Sequence, residues 1–390
     1  MISSIKEAYL KRRKCNNRHK RQENERNSEM VLTIDDTAGE PESDPTETKK
    51  RITWTYRKFK KVELYPHMID DPKRPPTEAE YQHAKKIADR FFNFSGGKVV
   101  VCDKQNRSKI LAVIEFTPID ELTETELKEI NSVTTFLHKA KKFVKAVAGK
   151  GRSWGGWMRM IGWRKGMDEY ELLGRYRDGE AIAEATEEYD ELMRSSATIS
   201  DIIGGYFKRL ANVVFADNQD LMKTNSIPTM AALDVVTPLS EFDCAPNLSF
   251  TAGGFVNSPH KDEGDISEFA FVMWVPTNIG DGSLARPSDG YDVTGGAFVF
   301  PDYGFGIDFS KQKGIVKMVW RAREVRHCTL PTIDTPQHTR TGMSLQVNKK
   351  TANACRDIEN ETIYDRPSNK EKDKSKFYYG DHANHMSIQK

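Results

Sequence analysis

No stretch of this 390-residue sequence is apolar for long enough to cross a bilayer. The longest, Phe269 to Pro276, is eight residues, less than half of the about 20 that a spanning helix needs. The N-terminus lacks the apolar core of a secretory signal, so the expectation is an intracellular protein with no membrane partner. Cysteine is sparse and scattered: Cys15, Cys102, Cys244, Cys328 and Cys355 are odd in number and form no C-x-x-C pair. That spacing argues against a disulfide framework and a tetrahedral structural zinc site. Neither sign of charge dominates. Lys and Arg total 59 against 57 Asp and Glu, a net charge of +2, so only local clusters can mark a nucleic-acid binder. No internal repeat is present either.

What is there is unevenly distributed. Hydrophobic residues make up 37% of the chain and charged residues 30%, which places the polarity in tails around a folded centre. Residues 1–50 hold a basic block (Lys11 to Lys14, Arg18 to Arg21) and an acidic Pro/Ser/Thr stretch. They read as a disordered tail whose basic block is either a nuclear-import signal or a phosphate-binding arm. Residues 51–148 read as an α/β buttress: a strand from Ile52, a helix opened by a Thr77/Glu80 capping box, strands at Lys98–Cys102 and Ile110–Phe116, and a helix from Thr123 to about Ala148. A basic Gly/Trp-rich segment and a second helical block, from Gly179 to about Val214, occupy 149–233. From 234 to 355 short β-rich runs alternate with Gly, Pro, Asn and Asp turns, the pattern of an antiparallel jelly roll. A polar tail fills 356–390, mobile from Ser368. The fold class is α+β, a jelly-roll core buttressed by N-terminal helices.

The jelly-roll reading gives meaning to His260-Lys261-Asp262, because residues two apart on an extended strand point to the same side. An imidazole and a carboxylate then project together, and a third ligand would complete a 2-His-1-carboxylate face that holds Fe(II) and leaves positions open for an organic co-substrate and dioxygen. The doublet alone is a weak signal. His327 follows His260 by 67 residues at the start of a β segment, and Arg340 comes 13 residues later. In a double-stranded β-helix that order sets His327 beside His260 and Asp262. Arg340 then reaches into the barrel to grip the distal carboxylate of 2-oxoglutarate through paired charge-assisted hydrogen bonds, with Ser344 adding a weaker one. Taken singly, His327 is better read as a sheet histidine and Arg340 as a surface cation; together, in this order, the site reading prevails.

At this point the sequence resembles the Tet/JBP-like Fe(II) and 2-oxoglutarate-dependent dioxygenases, most closely their compact fungal members. The carrying segments are 160–166 (MIGWRKG), 260–262 (HKD), 295–304 (GGAFVFPDYG), 307–309 (IDF), 326–331 (RHCTLP) and 340–345 (RTGMSL), within a likeness over about residues 130–355. The resemblance implies a double-stranded β-helix, iron held by His260, Asp262 and His327, 2-oxoglutarate anchored by Arg340, and oxidation of a methyl group on a DNA base. It also implies that Asp265 contacts the target base; the plainer alternative is a carboxylate in an acidic turn. The Cys-rich modules of the large animal Tet proteins are missing, so DNA must be held by other parts.

Between Lys139 and Arg177 stand 11 Lys/Arg against 3 Asp/Glu, interleaved with Trp154, Trp157 and Trp163. Arg152, Arg159, Trp163, Arg164 and Lys165 are therefore the candidate contacts to DNA phosphates and strand, although the tryptophans also read as core. The expected partner is double-stranded methylated DNA with a flipped target base, the expected state a monomer and the expected location nuclear. Oxidation of 5-methylcytosine to 5-hydroxymethylcytosine, with 5-formyl- and 5-carboxylcytosine open as further products, stands beside N6-methyladenine demethylation by the same iron site. Hydroxylation of a protein side chain and a non-catalytic nucleic-acid-binding module remain as further alternatives.

Overall fold

A computed structural model of the chain describes residues 52–68, 74–147, 153–310 and 312–388. The N-terminal tail with its basic block, and Arg152, lie outside the described residues. The strands in chain order are β1 (Ile52–Arg57), β2 (Phe92–Phe94), β3 (Lys98–Asp103), β4 (Ile110–Pro118), β5 (Gly155–Lys165), β6 (Glu171–Arg175), β7 (Asn247–Val256), β8 (Ala270–Asn278), β9 (Thr294–Gly295), β10 (Phe298–Phe300), β11 (Phe305–Ile307), β12 (Gly314–Trp320), β13 (Cys328–Thr329), β14 (Thr332–Ile333), β15 (His338–Leu345) and β16 (Tyr378–Tyr379). Ten of them form one sheet in the order β1-β3-β4-β12-β8-β15-β7-β5-β6-β16, and β13-β10-β11-β2 form a second. These two sheets are the jelly roll.

Strand alternation divides the core in two. On one face of the large sheet Phe250, Phe271, Met273, Val319 and Met343 meet the helices Glu124–Ala140 and Ser196–Leu210, with Phe207 stacked on Phe271 at 4.9 Å. On the other face Val272, Trp274, Met318 and Trp320 meet Phe298, Phe300, Phe305 and Ile307 of the smaller sheet. The helices thus buttress the sheet from behind, and the space between the sheets is left for chemistry. The expected capping box of Thr77 with Glu80 is present, and Thr123 makes a second one with Glu126, each opening its helix reciprocally. No helix among the described residues is long and apolar enough to cross a membrane.

Four expectations are corrected. The helix from Thr123 ends at Ala140, not near Ala148. Val147 instead donates its N–H to Met158, so pairing with β5 takes over and Phe143 and Val144 are buried in the turn. The second helical block runs on through Asn212–Thr224. The basic Gly/Trp-rich segment placed ahead of the jelly roll contains an eleven-residue strand, β5, paired antiparallel with β7, so the large sheet draws strands from well upstream of residue 234. Gly156 and Gly162 permit this with φ of +63° and +105°. A Cβ on Gly162 would lie 2.5 Å from the Pro246 carbonyl oxygen. The tail beyond Ser368 is also fixed in place: β16 pairs parallel with β6, and the helix His382–Ile388 buries His382 and His385.

Candidate metal centre and co-substrate pocket

His260 follows the end of β7 and His327 precedes β13, and the two are joined through their main chains. The His260 N–H donates to the His327 carbonyl at 3.0 Å and the His327 N–H returns to the His260 carbonyl at 2.9 Å. That bridge brings the two rings to 4.5 Å. Asp262, two residues along, is held by its own N–H on the Ala322 carbonyl. Its carboxylate oxygens lie 3.4 Å from His260 Nε2 and 3.6 Å from His327 Nε2. The three ligating atoms fall within 4.8 Å of one another, and no other such trio of His, Cys, Asp and Glu occurs among the described residues.

The tautomers suit a metal. Each Nδ1 faces a backbone carbonyl, Ser258 for His260 at 2.8 Å and Val325 for His327 at 2.9 Å. A carbonyl can only accept, so the shorter contact at each Nδ1 places the hydrogen there and turns each Nε2 lone pair toward Asp262, the Trp320 indole N–H standing farther from His327 Nδ1 at 3.3 Å. Burial, with His260 beside it, pushes the His327 imidazole down to about 4, so it is neutral at physiological pH, the state a ligand requires. Phe298 stacks on this ring at 5.4 Å and Trp320 meets it edge-on at 5.2 Å. Two imidazoles and one carboxylate whose ligating atoms converge, closed on one side by aromatics, fit Fe(II).

The trio opens on a cavity of about 130 Å³ between the sheets, walled by Val272, Trp274 and Met158, with Thr251, Asn257 and Gln346 among its polar groups. Arg340, Gly342 and Ser344 share one face of β15, and Gly342 and Ser344 line that cavity. Arg340 is 7% exposed and lies over the Phe309 ring at 4.2 Å. Its Nε donates to Gln312 Oε1 at 2.9 Å and its Nη1 to the Gly295 carbonyl at 3.1 Å. Nη2 is buried with no partner, and the Tyr291 hydroxyl faces the guanidinium without completing a hydrogen bond to it. A buried guanidinium with unspent N–H groups beside an unspent hydroxyl fits a carboxylate. Neither Gln312 nor Tyr291 follows from the sequence. The Gly295-Gly296 turn is the available signal, because a Cβ on Gly296 would lie 2.5 Å from Arg340 Nη1.

Two assigned roles do not follow from this geometry. Ser344 stands four residues from Arg340 along one strand, roughly 13 Å at a rise of about 3.3 Å per residue, and no contact in the structure brings the two side chains together. Its hydroxyl bonds Gln346 instead, at 3.3 Å. Asp265 is 5% exposed and does not line the cavity. Its N–H donates to the Asp262 carbonyl and Asn348 Nδ2 donates to its carboxylate at 3.5 Å, beneath the ligand loop. Burial, with Asp262 nearby, pushes its carboxyl up to about 8. The structure thus makes it a brace of that loop.

The basic cluster is dispersed by strand alternation. Met158 faces the cavity, whereas Arg159, one residue on, turns to the helical face, where its Nε donates to the Val144 carbonyl and its guanidinium lies 4.6 Å over Trp157. Arg164 is paired with buried Glu171 at 2.8 Å, and Lys165 is exposed at the end of β5. Trp163 is 0% exposed, donates its indole N–H to the Ala232 carbonyl at 3.0 Å and packs with Met222 and Val347. It is core, with no face left for DNA. Trp163→Ala is expected to cost about 3–5 kcal/mol in urea unfolding; a loss below about 1 kcal/mol would argue against this packing.

Together, a jelly roll, a His-Asp-His face and a buried arginine in that order define a 2-oxoglutarate-dependent dioxygenase that uses Fe(II), 2-oxoglutarate and dioxygen. The family model of the Tet-like 2OG-Fe(II) oxygenase superfamily matches residues 123–332, and the chain belongs to that family. No curated protein matches it. Solved structures similar to it include NgTET1 in complex with 5mC DNA, at 13% identity over 75% of this chain and 84% of that one, with a TM-score of 0.39. A 2OG-Fe(II) oxygenase family oxidoreductase from Burkholderia pseudomallei is 12% identical over 61% of this chain and 88% of that one, with a TM-score of 0.30. A prolyl-4-hydroxylase from Pseudomonas putida is 14% identical over 61% and 93%, with a TM-score of 0.26.

Proposed function

We propose that this dioxygenase oxidises the methyl group of 5-methylcytosine in double-stranded DNA, first to 5-hydroxymethylcytosine, and that it works in the nucleus. The observation that carries the reading is the match to the Tet-like family across residues 123–332, a span that includes His260, Asp262 and His327. In this reading those three residues hold the iron, and Arg340 binds the distal carboxylate of 2-oxoglutarate through Nη2, with the Tyr291 hydroxyl beside it. Bound Fe(II), with 2-oxoglutarate and dioxygen, supplies the oxidising power that replaces a C–H bond by C–OH. The protein's own contribution is placement. The Ser258 and Val325 carbonyls fix the imidazole tautomers, Gln312 and Gly295 aim the guanidinium, and Phe298, Trp320 and Trp274 exclude water from the reacting side. A methyl group stacked inside a duplex cannot enter a cavity between two sheets, so the target nucleotide is flipped out.

Reconstitution without oxygen with Fe(II) and 2-oxoglutarate, followed by air and nucleoside mass spectrometry, tests the proposal on duplexes carrying 5-methylcytosine or N6-methyladenine. Oxidised cytosines are expected. Loss of methyladenine alone would move the substrate to the other base, and 2-oxoglutarate consumption with neither base altered would remove the DNA reading while leaving the dioxygenase.

A further inference from the structure

The cations of β5 are largely engaged, yet the opposite edge of the large sheet carries a basic surface that the reaction does not use. β1 is the edge strand, paired only with β3 in that sheet. It runs into Arg57-Lys58-Phe59-Lys60-Lys61, and the β3–β4 turn beside it reads Lys104-Gln105-Asn106-Arg107-Ser108-Lys109. These two stretches hold seven cations and no carboxylate. They are physically one surface, since the Lys104 N–H donates to the Arg57 carbonyl at 2.8 Å and the Arg107 guanidinium lies 5.2 Å over the Tyr56 ring.

Aromatic rings are exposed among these charges: Trp54 at 42%, Tyr56 at 41% and Phe59 at 48%. Three of the cations are committed to neighbours, Arg57 to the Tyr303 and Gly304 carbonyls, Lys61 to Glu63 and Lys109 to Glu324. Lys58, Lys60, Lys104 and Arg107 are exposed and have no carboxylate partner among the described residues.

This surface is tied to the iron site. The Lys60 N–H donates to the Asp302 carbonyl and the Val62 N–H to the Asp302 carboxylate. Arg326, the residue before His327, binds the Val62 carbonyl at 2.6 Å, Glu63 at 2.9 Å and Asp302 at 2.8 Å. Arg326 thus shares Glu63 with Lys61 and takes up the Asp302 carboxylate, and one strap leads from the basic edge to the metal ligand.

We propose that β1, the strap 58–61 and the turn 104–109 form a phosphate-binding surface for the DNA flanking the target base. The proposal rests on the DNA reading above and supplies the cations that β5 does not. Six residues of β1 extend about 20 Å, long enough to lie along several phosphates of a duplex spaced at one charge per about 1.7 Å of axis. Unpaired cations interleaved with exposed rings suit a nucleic acid, which offers both a dense line of charge and flat bases, better than an acidic protein face.

The test is fluorescence anisotropy of the full chain with a labelled duplex bearing one 5-methylcytosine, and with its single strand, from about 50 to 200 mM salt. The triple variant Lys58→Glu, Lys60→Glu, Arg107→Glu is expected to bind at least tenfold more weakly. Its plot of log affinity against log salt should flatten by about 0.9 for each phosphate that is no longer neutralised. A neutral triple Gln variant, for which misfolding is less of a concern, should fall between it and the parent. Parental affinity and slope in both variants would overturn this surface while leaving the DNA reading intact. If the unmodified protein bound neither duplex nor single strand, the DNA reading itself would fall and this surface with it.

Discussion

Asp262→Asn is expected to reduce product to background and to weaken Fe(II) binding by more than the roughly 10- to 100-fold typical when an outer partner of a metal ligand is removed. The reason is chemical. Asp262 supplies the only anionic donor of the trio, its carboxylate lying 3.4 and 3.6 Å from the two Nε2 atoms, and an amide offers a neutral oxygen in its place. The fold should survive, because Asp262 is held to Ala322 through its main-chain N–H, which the substitution leaves. Fe(II) titration without oxygen and circular dichroism together separate loss of metal from loss of structure. Undiminished turnover by a folded Asp262→Asn protein would mean that the iron is held elsewhere.

The second large effect is on the co-substrate. Truncating one partner of a buried, hydrogen-bonded charge pair costs about 2–5 kcal/mol, so Arg340→Met is expected to raise the KM for 2-oxoglutarate by roughly 30-fold to several thousandfold. Arg340→Lys keeps the charge but loses the fork, and a shorter reach from β15 leaves Gln312 Oε1 and the Gly295 carbonyl without their donor. It should recover only part of the loss. Because Arg340 sits among buried groups away from the iron ligands, kcat at saturating 2-oxoglutarate should fall far less than affinity. An unchanged KM in either variant would assign the carboxylate to another cation.

The metal face is legible in the sequence because it is encoded locally. His260 and Asp262 reveal their shared direction through a two-residue spacing, and His327 and Arg340 follow in an order that a jelly roll turns into proximity. The aim of Arg340 is not legible, since Gln312, 28 residues away, and Tyr291 reach it only through the fold. β5 misleads for a different reason. Its glycines and tryptophans resemble a loop in composition, and its arginines look like a cluster until alternation is applied, which sends Met158 and Arg159 to opposite faces. Trp163 and Glu171 then show the two usual ends of such residues: one filling a core and one neutralising Arg164. The basic edge at β1 is hidden in the sequence because its two halves, 57–61 and 104–109, are separate there and become one surface only when β1 and β3 pair.

The pairing of β5 with β7 carries a consequence for how this chain can vary over time. Met158 stands opposite Thr251 and Arg159 opposite Phe250, so deleting one residue from β5 would rotate a guanidinium into the oxidising chamber and drive a thioether toward the helices. Losing two would restore the original sides. The segment can therefore drift in identity, within limits of size, but scarcely in length, and insertions in relatives of this protein are more readily accommodated in exposed connections such as 286–290.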